Sequence, residues 1–149
     1  MAEKVGVGLV GFGVVGTGMV SCLLKNSEQI DARSGIPVVM KTIADLDITT
    51  PRSVDTTGIR LTQNIDDILN DPEIDVVVEL VGGTDFAYNL IVKILEAGKD
   101  VVTANKALLA RHGAELFVAA DEAHRDVIFE ASVGGGIPII RTLREGLAA

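Results

Sequence analysis

Residues 11–16 read Gly-Phe-Gly-Val-Val-Gly, and their setting constrains this chain more than any other segment. Before them, residues 5–10 form an apolar, β-branched run without polar alternation, the pattern of a strand buried on both faces. After them, residues 14–25 carry apolar side chains at helical spacing. A strand that turns through three glycines into a helix opens a βαβ unit of the dinucleotide-binding kind. In that reading Gly11 permits the tight turn, Gly13 lets the backbone approach a pyrophosphate, and Gly16 lets the helix pack close to the strand. The helix N-terminus offers N–H groups and positive potential to the phosphates. The plain alternative is a glycine-rich turn that binds nothing.

The rest of the chain keeps the alternation. Residues 37–43, 75–81, 100–103 and 126–129 read as further buried strands, with 59–61 as an edge strand. Residues 85–96, 106–123 and 138–147 read as helices, with a shorter one at 65–69. Residues 26–37, rich in Ser, Gln, Asp, Gly and Pro, read as an extension of the first helix. Gly98 stands where a helix-ending glycine belongs, and Asp71-Pro72 breaks the chain before the strand at 75. Strands alternating with helices predict an α/β fold, a doubly wound parallel sheet of the Rossmann type, order 3-2-1-4-5-6, in a single domain. The last helix has barely finished when the sequence stops. That leaves two expectations, a one-domain binder or part of a longer enzyme.

Composition closes off other classes. There are 149 residues, enough to bury a sizeable core. Acids outnumber bases 21 to 13, a net charge of −8, which argues against a nucleic-acid partner. Five aromatics and no Trp leave little to stack single strands on. No apolar run is long enough to span a membrane. The N-terminus lacks a secretory pattern, and the one cysteine, Cys22, fits a reducing compartment, so a cytoplasmic protein is expected. Cys22, in the apolar first helix, reads as a small core residue.

In an open α/β sheet, ligands sit beyond the carboxyl ends of the strands, so candidates are sought there. The second strand ends in Asp45 and Asp47. Asp45 is the better placed to hold the adenosine ribose hydroxyls, the alternative being a solvated turn acid. No base lies between Thr42 and Pro51, and Arg52 is the nearest cation a loop could bring in, so NAD is expected over NADP. The fourth strand ends Gly82-Gly83-Thr84-Asp85, where Thr84 or Asp85 can cap the next helix. The fifth ends Asn105-Lys106, with Asn105 as N-cap. Lys106 in the first turn opposes the helix dipole, which suggests a role toward an anion or a carbonyl rather than a solvated side chain. The sixth ends in Phe129-Glu130-Ala131-Ser132-Val133-Gly134-Gly135-Gly136-Ile137-Pro138. Its carboxylate and exposed carbonyls suit a hard cation, or the glycines form a hinge. His112 and His124 lack the partners of a transition-metal site.

Four segments together resemble homoserine dehydrogenase: 7–16, then Glu79-Leu80-Val81-Gly82-Gly83-Thr84, then Val101-Val102-Thr103-Ala104-Asn105-Lys106, then 129–138. The glycine turn is generic; the last two segments are specific. The resemblance spans essentially the whole chain but only the family's N-terminal nucleotide-binding domain. It implies that residues 1–149 are the NAD(P)-binding domain of a longer enzyme, with the substrate and dimerisation domain absent. That enzyme reduces aspartate 4-semialdehyde to homoserine on the route to threonine, methionine and isoleucine. The resemblance implies Phe12, Gly13, Val14 and Val15 along the pyrophosphate, and Thr84 and Lys106 at the nicotinamide end, with Lys106 at the reacting centre. It also implies a monovalent cation, usually sodium, on Glu130 and the carbonyls of Val133, Gly135 and Ile137. The full-length protein is expected to be a homodimer or higher, and this chain alone to be inactive. One departure bears on cofactor choice: Ala44 stands where many relatives have arginine. The rival readings are another Rossmann oxidoreductase half and a stand-alone NAD(H)-binding module. The first is disfavoured because Asn105-Lys106-Ala107 replaces the Glu-Lys-Pro usual there, the second because no partner-binding element is visible.

Overall fold

Six residues with no polar side chain among them, Val5–Val10, form strand β1, and in the computed structural model, which describes residues 4–147, the first half of the chain is built on it. The chain divides between Val81 and Gly82 into two units. The first holds β1, α1 (Val14–Lys25), α2 (Ser27–Ser34), β2 (Val38–Ala44), β3 (Arg60–Thr62), α3 (Asp66–Leu69) and β4 (Val76–Glu79). β1 pairs with β2 on one side and β4 on the other, and β3 extends beyond β2, all parallel. Leu9 is the centre of the register, opposite Ile43 and Val78. Leu9, Ile43 and Val77 are fully buried, as two covered faces require. Val7, Phe12, Val20 and Met40 complete the core around them.

Two sequence expectations change in this unit. Residues 27–34 are a separate helix, α2, because α1 ends at Asn26, whose Nδ2 donates to the Cys22 carbonyl at 2.8 Å. The Cys22 side chain is exposed rather than in the core. α1 buries Gly16, Thr17 and Val20, and a residue two past Val20 lies about 200° round a helix of 3.6 residues per turn, on the opposite face.

The second unit holds α4 (Asp85–Glu96), β5 (Asp100–Thr103), α5 (Lys106–Ala123), β6 (Val127–Ile128), α6 (Glu130–Val133) and α7 (Ile139–Gly146). β5 and β6 are parallel, with Val101 opposite Val127. α4 buries Ala87, Leu90, Ile91, Ile94 and Leu95, one continuous helical stripe. It ends at Gly98, left-handed at φ 75°, whose N–H returns to the Leu95 carbonyl at 2.9 Å. α5 is kinked at His112, where φ is −128°. β6 is shorter than expected, because the chain turns into α6 at Glu130; buried Ser132 then donates to the Thr103 carbonyl at 2.8 Å and ties α6 to β5. No helix among the described residues is long and apolar enough to cross a membrane.

Candidate nucleotide-binding site

Three glycines give the turn after β1 its shape, for three different reasons. Gly11 has φ 101°, and a Cβ on it would lie 2.6 Å from the Leu80 carbonyl carbon. A Cβ on Gly16 would lie 2.1 Å from the Gly11 carbonyl oxygen. The chain's own packing therefore demands both. Gly13 is exposed, and a Cβ on it would meet nothing within 4 Å. Nothing inside the protein requires glycine there, and the space beside it is open. Above it α1 begins with no acid in its first turn and no side-chain cap, and with Val14 and Val15 92% and 64% exposed. An exposed helix start with neither a side-chain cap nor an acid is the kind of helix end that can receive a phosphate.

Phe12 differs from its neighbours. Its ring is buried, and its N–H donates to Asp45 Oδ2 at 2.5 Å. Asp45 Oδ1 accepts from the Asp47 N–H at 2.8 Å. Asp45 thus stands at the end of β2, and it also fastens that end to the glycine turn. A carboxylate has about four acceptor positions, so ribose hydroxyls would share oxygens already holding two backbone donors.

Arg52, the nearest cation that a loop could bring in, takes its place from the fold of that loop. The loop after β2 folds back so that Val54 and Ile59 pack against the core. Arg52 then lies with its guanidinium carbon 5.7 Å from the centre of the Phe12 ring. Its Nη2 donates to the Asp47 carbonyl at 3.1 Å and to Asp47 Oδ2 at 3.3 Å. Its Nε is buried without a hydrogen-bond partner among the described residues. The available signal was Asp47-Ile48-Thr49-Thr50, a turn in which Asp47 Oδ1 accepts from both threonine N–H groups and from the Thr49 hydroxyl. Glu79 was likewise not singled out by its spacing: it is fully buried on β4, and its Oε1 accepts from the Val81 N–H at 2.8 Å.

In the second unit, Asn105 caps α5 as expected, accepting from the Leu108 N–H at 3.0 Å. Its Nδ2 also donates to the Gly83 carbonyl at 2.6 Å, which holds the turn before α4 beside the start of α5. Lys106 is exposed in the first position of α5, with no ion pair among the described residues. Thr84 precedes α4 without capping it through its side chain; its hydroxyl accepts from Arg111 Nη1 at 3.2 Å instead. Asp85 faces Arg111 at 3.6 Å and His112 Nε2 at 3.3 Å. His112 therefore serves the α4–α5 contact, and no cluster of three His, Cys, Asp or Glu able to hold a metal occurs among the described residues.

The Glu130 segment carries oxygen ligands of the right hardness for a monovalent cation, but they are engaged. Both Glu130 carboxylate oxygens accept from the start of α7, from the Ile140 N–H at 2.9 Å and the Arg141 N–H at 3.0 Å. The Ile137 carbonyl accepts from the Ile139 N–H at 2.8 Å. Val133 and Gly135 are exposed. In the set Glu130, Val133, Gly135 and Ile137, the Glu130 carboxylate holds the start of α7, and a cation there would share its oxygens with those two backbone donors. Beside it, Val127, Phe129, Glu130, Pro138, Ile140 and Arg141 line a cavity of about 430 Å³.

A family model described as the NAD-binding domain of homoserine dehydrogenase matches residues 11–130. The chain belongs to the homoserine dehydrogenase family. Homoserine dehydrogenase of Pseudomonas aeruginosa is 47% identical over 148 residues, which is 99% of this chain and 33% of that protein. The Bacillus subtilis enzyme is 42% identical over 147 residues, 99% of this chain and 34% of its own length. A crystal structure of a homoserine dehydrogenase from Thiobacillus denitrificans superposes with a TM-score of 0.90 at 44% identity, covering 97% of this chain and 33% of that one. The chain thus spans about a third of the length of these relatives. With that crystal structure it shares the Rossmann-like α/β fold of parallel strands with helices.

Proposed function

We propose that residues 1–149 are the nucleotide-binding domain of an enzyme that reduces aspartate 4-semialdehyde to homoserine, with NAD preferred over NADP. The observation that carries this is Gly13, where a Cβ would meet nothing within 4 Å beneath an uncapped helix N-terminus. The nicotinamide, when bound, supplies the hydride. Gly13, Val14 and Val15 receive the pyrophosphate on backbone N–H groups, and Phe12 holds the turn rigid from inside. Asp45 accepts from the ribose hydroxyls. Thr84 and Lys106 serve the nicotinamide end. The Lys106 ammonium, exposed against the local helix dipole and without an ion pair among the described residues, is available to hold an anionic group or polarise a carbonyl. Substrate recognition and any assembly into dimers belong to the full-length protein. A monovalent cation on Glu130 would share the carboxylate with the two N–H groups of α7, and no step is routed through one.

Calorimetric titration of NAD onto this chain tests the proposal. Saturable 1:1 binding that Gly13→Val removes is the expected result. A folded chain that gives no heat with either nicotinamide nucleotide would overturn it.

A further inference from the structure

We propose that Asp47 sets the choice between NAD and NADP by holding Arg52 out of use. The proposal rests on the nucleotide-binding reading above. NADP differs from NAD by a phosphate on the adenosine 2′ oxygen, which lies beyond the end of the second strand in folds of this type. A cation there decides whether that phosphate is welcomed. Arg52 is such a cation: it sits over Phe12, the residue between Gly11 and Gly13 in the phosphate turn. Its charge is committed. Nη2 donates twice to Asp47, once to its carbonyl and once to its carboxylate. The other cations on the surrounding strands are committed as well. Lys41 and Lys4 share Glu73 at 2.5 and 3.5 Å, and Arg60 pairs with Asp67 at 2.8 Å.

Asp47 holds its position firmly. Its Oδ1 accepts from the Thr49 N–H at 3.2 Å, the Thr49 hydroxyl at 3.1 Å and the Thr50 N–H at 3.0 Å. Hydrogen bonding from Thr50, then Thr49, keeps its carboxyl well below the usual carboxylate range, so it stays charged at neutral pH. A 2′ phosphate arriving here meets two carboxylates, Asp45 and Asp47, and a guanidinium already paired. Both bonds to Asp47 run through the one nitrogen Nη2, so losing the carboxylate frees that end of the guanidinium to turn outward. Asp47 is therefore a specificity-determining residue that works through Arg52.

The variant Asp47→Asn isolates this role. Its amide oxygen still accepts from Thr49 and Thr50, while Arg52 faces an amide in place of a carboxylate oxygen. The readout is the ratio of NAD to NADP affinities by calorimetry, so a loop that loosens and weakens both nucleotides alike cancels out. The ratio should shift toward NADP by about tenfold, the scale of one charge-assisted contact near water. Adding Arg52→Gln should abolish the shift. An unchanged ratio in Asp47→Asn overturns the proposal. Arg52→Gln alone gives a second arm that leaves Asp47 in place. It should move the ratio by less than about twofold, well short of one charge-assisted contact. A roughly tenfold loss of NADP affinity there would mean that Arg52 already reads the phosphate and would overturn the proposal. If the unsubstituted, folded chain binds neither nucleotide, the nucleotide-binding reading itself fails, a separate result.

Discussion

Gly13 and Gly16 are spelled alike and do different work, and substitution should separate them. Gly13→Val should leave the melting temperature within about 2 °C while removing nucleotide binding, because its Cβ enters space the protein does not use. Gly16→Ala forces a Cβ to within 2.1 Å of the Gly11 carbonyl oxygen, so backbone must move. The cost is on the order of 1–3 kcal/mol, read as a fall in melting temperature. Thermal melts with and without NAD check both. The reverse pattern would mean that the phosphate turn is misassigned. Ala44 is a poorer handle than its position suggests. It is 3% exposed, so an arginine there would be forced into the core rather than toward a 2′ phosphate. The glycine turn and the place of Asp45 at the end of β2 were legible because the local sequence sets both. Arg52 was legible only as a cation that a loop could bring in, because its place depends on how the loop after β2 folds back over Phe12.

Among the elements, β1, α1, α4, β5 and α5 have the limits that the sequence predicted, because strong punctuation bounds them: Gly11, Gly98 and the Asn105 cap. α2 escaped notice because Ser27–Ser34 buries no residue and so carries no apolar period. α6 escaped because it is a single turn that reads as the tail of a strand. Asn105 holds both the α5 cap and the Gly83 carbonyl, so Asn105→Ala should cost about 1 kcal/mol, a few degrees in a melt. No change would show the cap to be replaceable by water. Glu73 joins β1 and β2 through Lys4 and Lys41, and the Lys41 hydrogen bond first, then the charges of both lysines, hold its carboxyl below the usual range. A depressed pKa means stability that is present above the ordinary glutamate range and lost as pH falls through the lowered value. Glu73→Gln should therefore melt below the parent near neutrality, and the gap should close on acidification through the carboxylate range. A gap that is constant with pH would assign the effect to packing.

Taken whole, the chain spans about a third of its relatives' length, and its activity can be tested apart from its binding. With aspartate 4-semialdehyde and NADH it should bind the nucleotide and release no homoserine. Turnover at an ordinary enzymatic rate, on the order of 10 per second, would place a complete reaction centre within 149 residues. The fold class was readable from the alternation of apolar runs, whereas the engagement of Glu130 by α7 was not, because it joins residues ten positions apart across a glycine loop. One further feature bears on how such binding can be watched. Cys22 is the single thiol of the chain, and it lies on the outer face of α1, eight residues beyond Val14. At 1.5 Å per residue that is about 12 Å from the phosphate turn. A maleimide dye would attach at that one position without any engineering. It would sit close enough for its emission to respond when the turn is filled, and far enough away to leave the occupant undisturbed.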